Sequence, residues 1–161
     1  MRDCHLQLAR IGDAASLAQM SRELIESGLG HSWTAARIAR QMQHPESIVL
    51  TAKLSDATAG FAAMQFADES AHLNLLAVAP SQRRRGIARA LINWLEETAR
   101  TAGTFTIGLE LRATSATAYA FYSALGYRES GRVRGYYQEV EDAIRMTRDL
   151  RKTCVTPASK S

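Results

Sequence analysis

Apolar residues along the chain switch repeatedly between period two and a helical period of about 3.6 residues, and the switches outline a fold. Leu6 to Ile11 alternates apolar with polar positions, as a half-buried strand does. Gly12 and Asp13 stop the alternation, and Asp13 offers a helix N-cap. From Ala14, the residues Leu17, Met20, Leu24 and Ile25 recur at helical spacing until Gly28 ends the run. A second helix follows Ser32, Trp33 and Thr34, with Ile38, Ala39 and Met42 on its apolar side. It stops at His44-Pro45, because the residue before a proline avoids helical backbone. Ile48 to Lys53 reads as a strand, and Gly60 to Phe66 with Ala71 to Val78 as a hairpin turning at Asp68-Glu69.

In the second half, Ile87, Leu91, Trp94, Leu95 and Thr98 mark a long amphipathic helix closed by Gly103. Phe105 to Leu111 is an apolar strand, Ala116 to Leu125 a helix capped by Gly126, and Tyr127 to Val133 and Val140 to Arg148 are strands. The order β-α-α-β-β-β-α-β-α-β-β predicts an α/β (α+β) fold, a central mixed β-sheet with helices on both faces. Its hairpins favour antiparallel neighbours and its βαβαβ section parallel ones. With 161 residues, 46% of them hydrophobic, the chain can build one core and is too short for two ordinary domains. Residues 1–150 show no repeat or linker and read as a single domain; from Arg151 the periodicity is lost, and residues 151–161 read as a disordered tail.

The net charge is +4, and the basic side is lopsided: of 20 Lys and Arg only Lys53, Lys152 and Lys160 are lysines. Arginine suits bidentate recognition of phosphate and carboxylate, although codon usage in a GC-rich genome gives the same bias. So modest a charge does not by itself declare a nucleic-acid protein. Cys4 and Cys154 form no C-x-x-C pair, which excludes a disulfide framework or zinc site and suggests a reducing compartment. The start of the chain lacks a signal peptide's apolar run, and no segment has the length of a membrane span, so the expectation is a soluble cytoplasmic protein. His5, His31, His44 and His72 have no ligand spacing, so no metal is expected, and His72 reads as a satisfied, half-buried histidine.

The densest chemical signal runs from Val78 through Pro80, Arg83, Arg84, Arg85 and Gly86 to Ala90. It joins a strand to a helix, where unpaired N–H groups and the helix dipole favour an anion. Gly86 lacks a Cβ and Ala88 is nearly as small, so the amides from Arg84 to Arg89 are placed to cradle a pyrophosphate. The plain alternative is a solvated charged loop. A nucleic-acid module using Arg83 to Arg85 would more naturally spread its charge along a helix face or among stacking aromatics.

In this context the strand Leu73 to Pro80, the loop Gln82 to Ala88 and the helix after it resemble the acetyl-CoA motif of the GCN5-related N-acetyltransferase (GNAT) superfamily. Leu109 to Gly131 and Arg134 to Ala143 are similar to its RimI-like branch, which acetylates the N-terminal alanine of a ribosomal protein. The resemblance is specific over roughly residues 60–148 and architectural before them. It implies acetyl-CoA as co-substrate. Leu76, Ala77 and Val78 would hold the pantetheine arm and thioester carbonyl along a strand edge, and Arg83, Arg84, Arg85, Gly86, Ile87, Ala88 and Arg89 the pyrophosphate. Ala88 stands where the family has a second loop glycine. Ser115 stands where the branch carries a cofactor-binding Asn, and it serves equally as an N-cap.

Acetylating an amine needs a neutral amine, a stabilised oxyanion and a proton for the thiolate. Glu110 sits between Leu109 and Leu111, where partial desolvation would raise its pKa into the general-base range. The resemblance makes it the catalytic glutamate; otherwise it is a structural carboxylate paired with an arginine. Tyr122 is implied as the general acid at the CoA sulfur, or else is core, and a backbone N–H near Val78 would meet the oxyanion. Trp33, in the wall formed by residues 27–44, and Tyr136 with Tyr137 are candidates for the acceptor pocket, the tyrosines being equally suited to a structural turn. The acceptor is open between a protein N-terminus, a lysine side chain and a small-molecule amine, and the protein is a monomer or homodimer. A regulatory domain that binds acyl-CoA without turnover is the third class, which Glu110 and Tyr122 argue against.

Overall fold

The computed structural model describes residues 4–151, so the tail after Arg151, with Cys154, lies outside the described residues. The chain runs β1 (Cys4–Leu8), α1 (Ala14–Met20), α2 (Ala35–Gln43), β2 (Ser47–Leu54), β3 (Ala57–Phe66), β4 (Ser70–Val78), α3 (Ile87–Thr101), β5 (Thr106–Arg112), α4 (Ala116–Ala124), β6 (Arg128–Tyr137) and β7 (Glu141–Asp149). This is the order that the apolar periodicity predicts. Helix α1 continues into a wider π turn at Ser21–Ile25. At α2 the Thr34 hydroxyl accepts from the Arg37 amide at 3.2 Å, and His44 turns extended before Pro45. Asp13 precedes α1 without capping it. Its carboxylate accepts from the Arg10 amide and from Lys53 Nζ, at 2.9 and 2.8 Å.

All seven strands form one sheet in the order β1-β2-β3-β4-β5-β7-β6. Only β4 and β5 pair in parallel; the other neighbours are antiparallel. The parallel βαβαβ expectation therefore holds for β4 and β5 and fails for β6. The last strand inserts between β5 and β6, because the tight turn after Tyr137 returns the chain antiparallel to β6. Gln138 and Glu139 in that turn both have positive φ, the backbone twist that short hairpins prefer.

Both faces of the sheet are covered, as the pattern requires. Leu91, Leu95 and Ile92 of α3, with Tyr122 of α4 and Leu125 at its C-cap, pack on Leu50, Met64, Leu73, Ile107, Leu109 and Met146. On the opposite face Leu17 of α1 and Ile38 of α2 pack on Val49, Phe61, Leu75 and Ala77. Each fully buried leucine contributes about 1.5–3 kcal/mol. Leu73 and Leu75 serve opposite faces although two residues apart, because the β3–β4 register slips there: Met64 faces Leu73 and Ala63 faces Leu75, leaving Asn74 as the extra residue of a β-bulge.

Candidate active site

The bulge also shapes the site. Strands β4 and β5 pair only where Ser70, Ala71 and His72 face Thr106, Ile107 and Gly108, and beyond that they part. The edge from Leu76 to Val78 therefore has its β5-facing backbone free of strand partners, while β3 holds the other side through Val78 opposite Gly60. Gly60 is indispensable to that contact: a Cβ there would sit 2.9 Å from the Ala77 carbonyl oxygen and 3.3 Å from Ile87 Cγ2.

After a short turn at Pro80–Gln82, Arg83 Nε donates to the Val78 carbonyl at 3.3 Å. Arg84 (φ 66°) and Gly86 (φ 76°) are left-handed, a backbone that turns neighbouring N–H groups into an anion-binding concavity. Gly86 directly precedes α3. A Cβ on Gly86 would meet nothing within 4 Å, so the backbone angle, rather than lack of space, calls for glycine. Arg83, Arg84, Arg85 and Arg89 are exposed, Ala88 is half-buried, and Ile87 anchors the loop in the core.

Glu110 lies on β5 just past the point where the strands part, its side chain 8% exposed. Three neighbours donate to its carboxylate. His72 Nε2 and the Tyr136 hydroxyl reach Oε1 at 2.5 and 3.2 Å, and Arg145 Nε reaches Oε2 at 2.9 Å. Burial pushes the carboxyl up, as the sequence suggests, but the hydrogen bonds from His72, Arg145 and Tyr136 outweigh it and hold the pKa at about 2. The expected upward shift is thus reversed. The reason is a donor set contributed by β4, β6 and β7, none of it visible in the apolar flanks of Glu110. His72, read from sequence as merely satisfied, is the nearest of these partners and is itself 39% exposed.

Tyr122 is buried, edge-to-face with Phe121 and Tyr127 at centroid distances of 5.1 and 5.6 Å. Burial drives its phenol pKa upward, with the nearby Tyr137 adding to the shift. Its hydroxyl has no hydrogen-bond partner among the described residues. The Tyr137 phenol is likewise raised, first by burial and then by Tyr136 and Glu110. The Ser115 hydroxyl accepts from the Ala118 amide at 3.3 Å and so caps α4; its O–H remains able to donate.

The wall beside this cluster is built by a residue that sequence reasoning missed. Glu26 looks like a solvated residue at a helix end, yet it is buried and collects the loop after α1. Ser21 Oγ donates to it at 2.8 Å, Ser32 Oγ at 2.9 Å, and the Ser32 and Trp33 amides also donate. Trp33 is thereby held under the Arg37 guanidinium, 3.7 Å from the ring centroid. Gln138, in the β6–β7 turn, exchanges hydrogen bonds with the Gly30 backbone at 2.7 and 2.6 Å. The loop carrying Trp33 and the turn following Tyr136-Tyr137 are thus tied together. Among the described residues no group of three or more His, Cys, Asp or Glu could hold a metal ion, and no helix is long and apolar enough to cross a membrane.

Residues 16–148 match the acetyltransferase (GNAT) domain family. The chain belongs to that family. The ribosomal protein bS18-alanine N-acetyltransferase of Salmonella typhimurium is 42% identical over 94 residues, covering 56% of this chain and 64% of its own length. The naa20 catalytic subunit of the N-terminal acetyltransferase B complex of Schizosaccharomyces pombe is 37% identical over 81 residues, covering 50% of this chain and 45% of its own. The matched stretch thus spans less than two thirds of either relative. The crystal structure of the ribosomal-protein-S18-alanine N-acetyltransferase from Escherichia coli superposes with a TM-score of 0.80 at 26% identity, covering 92% of this chain and 94% of that one. The free β4 edge leads into the left-handed loop and the start of α3, and solved structures with which this chain shares its fold hold coenzyme A or acetyl-CoA.

Proposed function

We propose that the protein is an acetyl-CoA-dependent N-acetyltransferase acting on a primary amine, with a protein N-terminus of the ribosomal-protein-alanine type as its acceptor. The observation that carries this reading is the parting of β4 and β5 between an anion-binding loop on one side and the ionised Glu110 on the other.

Acetyl-CoA would supply an activated acetyl thioester. The amides from Arg84 to Arg89 would hold its pyrophosphate, with Arg83 to Arg85 and Arg89 as counter-charges, and the backbone of Leu76, Ala77 and Val78 would pair with the pantetheine arm. A backbone N–H near Val78 is the candidate donor to the oxyanion. Ser115 would add its free O–H. Glu110 would attract the acceptor as its ammonium and orient it for direct attack, relaying the first proton to solvent water so that the neutral amine is the nucleophile. With a pKa of about 2 the carboxylate does not retain that proton. Tyr122, whose raised pKa keeps it protonated, donates to the departing thiolate, and the second proton lost from nitrogen restores it. Trp33, Tyr136 and Tyr137 would line the acceptor's path.

The close rival is a small-molecule amine acetyltransferase. Thiol release measured with peptides beginning Ala-Arg, free polyamines and aminoglycosides separates the two. Preference for the peptides by at least tenfold in kcat/KM is expected; preference for a small amine would move the acceptor to that class.

A further inference from the structure

We propose that Gln41, Asn74 and His72 form a one-way hydrogen-bond line from helix α2 to Glu110, in which His72 is a positioning residue that fixes the carboxylate for the acceptor's amine. The purpose of the line rests on the acetyltransferase reading; its direction does not.

Asn74 sets that direction. Its Oδ1 accepts from Gln41 Nε2 at 3.0 Å, so its Nδ2 is the atom that faces His72 Nδ1, also at 3.0 Å. An amide nitrogen can only donate, so Nδ1 accepts and the ring proton belongs on Nε2. That N–H donates to Glu110 Oε1 at 2.5 Å. With the proton on Nδ1 instead, two N–H groups would oppose each other and a ring lone pair would face a carboxylate. The bulge is what makes the line possible, since Asn74 is the unpaired residue that leaves the β3–β4 register.

Glu110 has about four acceptor positions. His72 and Tyr136 occupy those of Oε1 and Arg145 one of Oε2, which leaves a position on Oε2 for an ammonium. The groups around the imidazole and carboxylate are Arg145 from β7, Tyr136 from β6, Gln65 across the β3 pairing and Gln41 from α2, with Arg37 of α2 felt at Tyr136. Since α2 also carries Arg37 against Trp33, the line connects the acceptor wall to the group that receives the amine. The imidazole borders an open cavity of about 440 Å³ with Gln65, Thr106 and Thr147, so it is accessible to solvent.

Imidazole ¹⁵N spectra of the full-length protein test the line without any turnover. The resonances that disappear in His72→Gln should show the proton on Nε2 and an accepting Nδ1. In Asn74→Asp the amide donor becomes an acceptor, so the Nδ1 resonance of the same ring should move away from that of an accepting nitrogen toward that of a protonated one. Steady-state rates test the positioning role: His72→Phe should lose about a hundredfold in kcat/KM, as misplaced catalytic groups do. His72→Gln, which keeps an N–H for Glu110, should recover most of that loss. A ring protonated at Nδ1, a spectrum indifferent to Asn74→Asp, or wild-type kinetics in His72→Phe would overturn the inference. A wild type that acetylates no amine would sink the functional reading and the positioning role, while the spectra would still decide the direction of the line.

Discussion

Glu110 and Tyr122 show how two ionisable groups are driven in opposite directions by their surroundings. The carboxylate gathers donors from three strands, whereas the phenol sits among aromatic rings with no partner for its hydroxyl. Glu110→Gln and Tyr122→Phe should each lower kcat by about two orders of magnitude while circular dichroism and acetyl-CoA affinity stay near wild type. Wild-type turnover in both would remove them from the chemistry. The pKa of Glu110 also makes a stability claim. Its folded value of about 2 lies below the ordinary 4.5, so its contribution is complete above about pH 4.5 and is lost as pH falls toward 2. The difference in Tm between wild type and Glu110→Gln should therefore shrink over that interval. A difference that stays constant would mean that the three donors do not stabilise the anion. The sequence makes Glu110 visible as a polar residue in an apolar strand, but its ionisation depends on His72, Tyr136 and Arg145, which lie far from it in the chain.

At the scale of elements, two small irregularities in β3 and β4 matter more than the regular structure. The bulge at Asn74 turns β4 away from β5, and Gly60 lets β3 follow closely enough to keep the free edge in place. Gly60→Ala places a Cβ against the Ala77 carbonyl. It should cost about 1–3 kcal/mol of stability and weaken CoA binding measured by calorimetry, because Ala77 and Val78 must move. Unchanged affinity would separate Gly60 from the cofactor edge. Gly86→Ala differs in kind: it forces φ 76° on a residue with a Cβ, so it strains the loop without any collision. Periodicity made the order of helices and strands legible, since each buries one face or stripe, but it ran the first strand on to Ile11, past its end at Leu8, and hid the π turn at Ser21–Ile25. It could not show the bulge, because Leu73 and Leu75 look like ordinary alternation until the two cores are seen. Nor could it place β7 between β5 and β6, as alternation carries no information about strand order.

For the whole molecule, the sheet divides the labour. One face packs α3 and α4 and carries Tyr122; the other packs α1 and α2 and carries His72, Glu110 and Arg145 beside the Trp33 wall. The segment proposed to hold the cofactor was legible as local structure: strand, left-handed turn and helix start follow one another within the stretch from Leu73 to Ala90. Trp33 and Tyr136 could be singled out from the sequence, but not the ties that hold their segments, because Glu26 and Gln138 come from distant parts of the chain and meet those segments only in the fold. Transfer of an acetyl group to an α-amine at the Glu110 face, as proposed, is tested most directly by mass spectrometry of two peptides of the same sequence, each containing an internal lysine. One peptide has a free N-terminal alanine and the other a blocked one. Acetylation confined to the free α-amine, and lost about a hundredfold in Glu110→Gln, is the expected result; equal acetylation of both peptides at the lysine, or none with either, would contradict it.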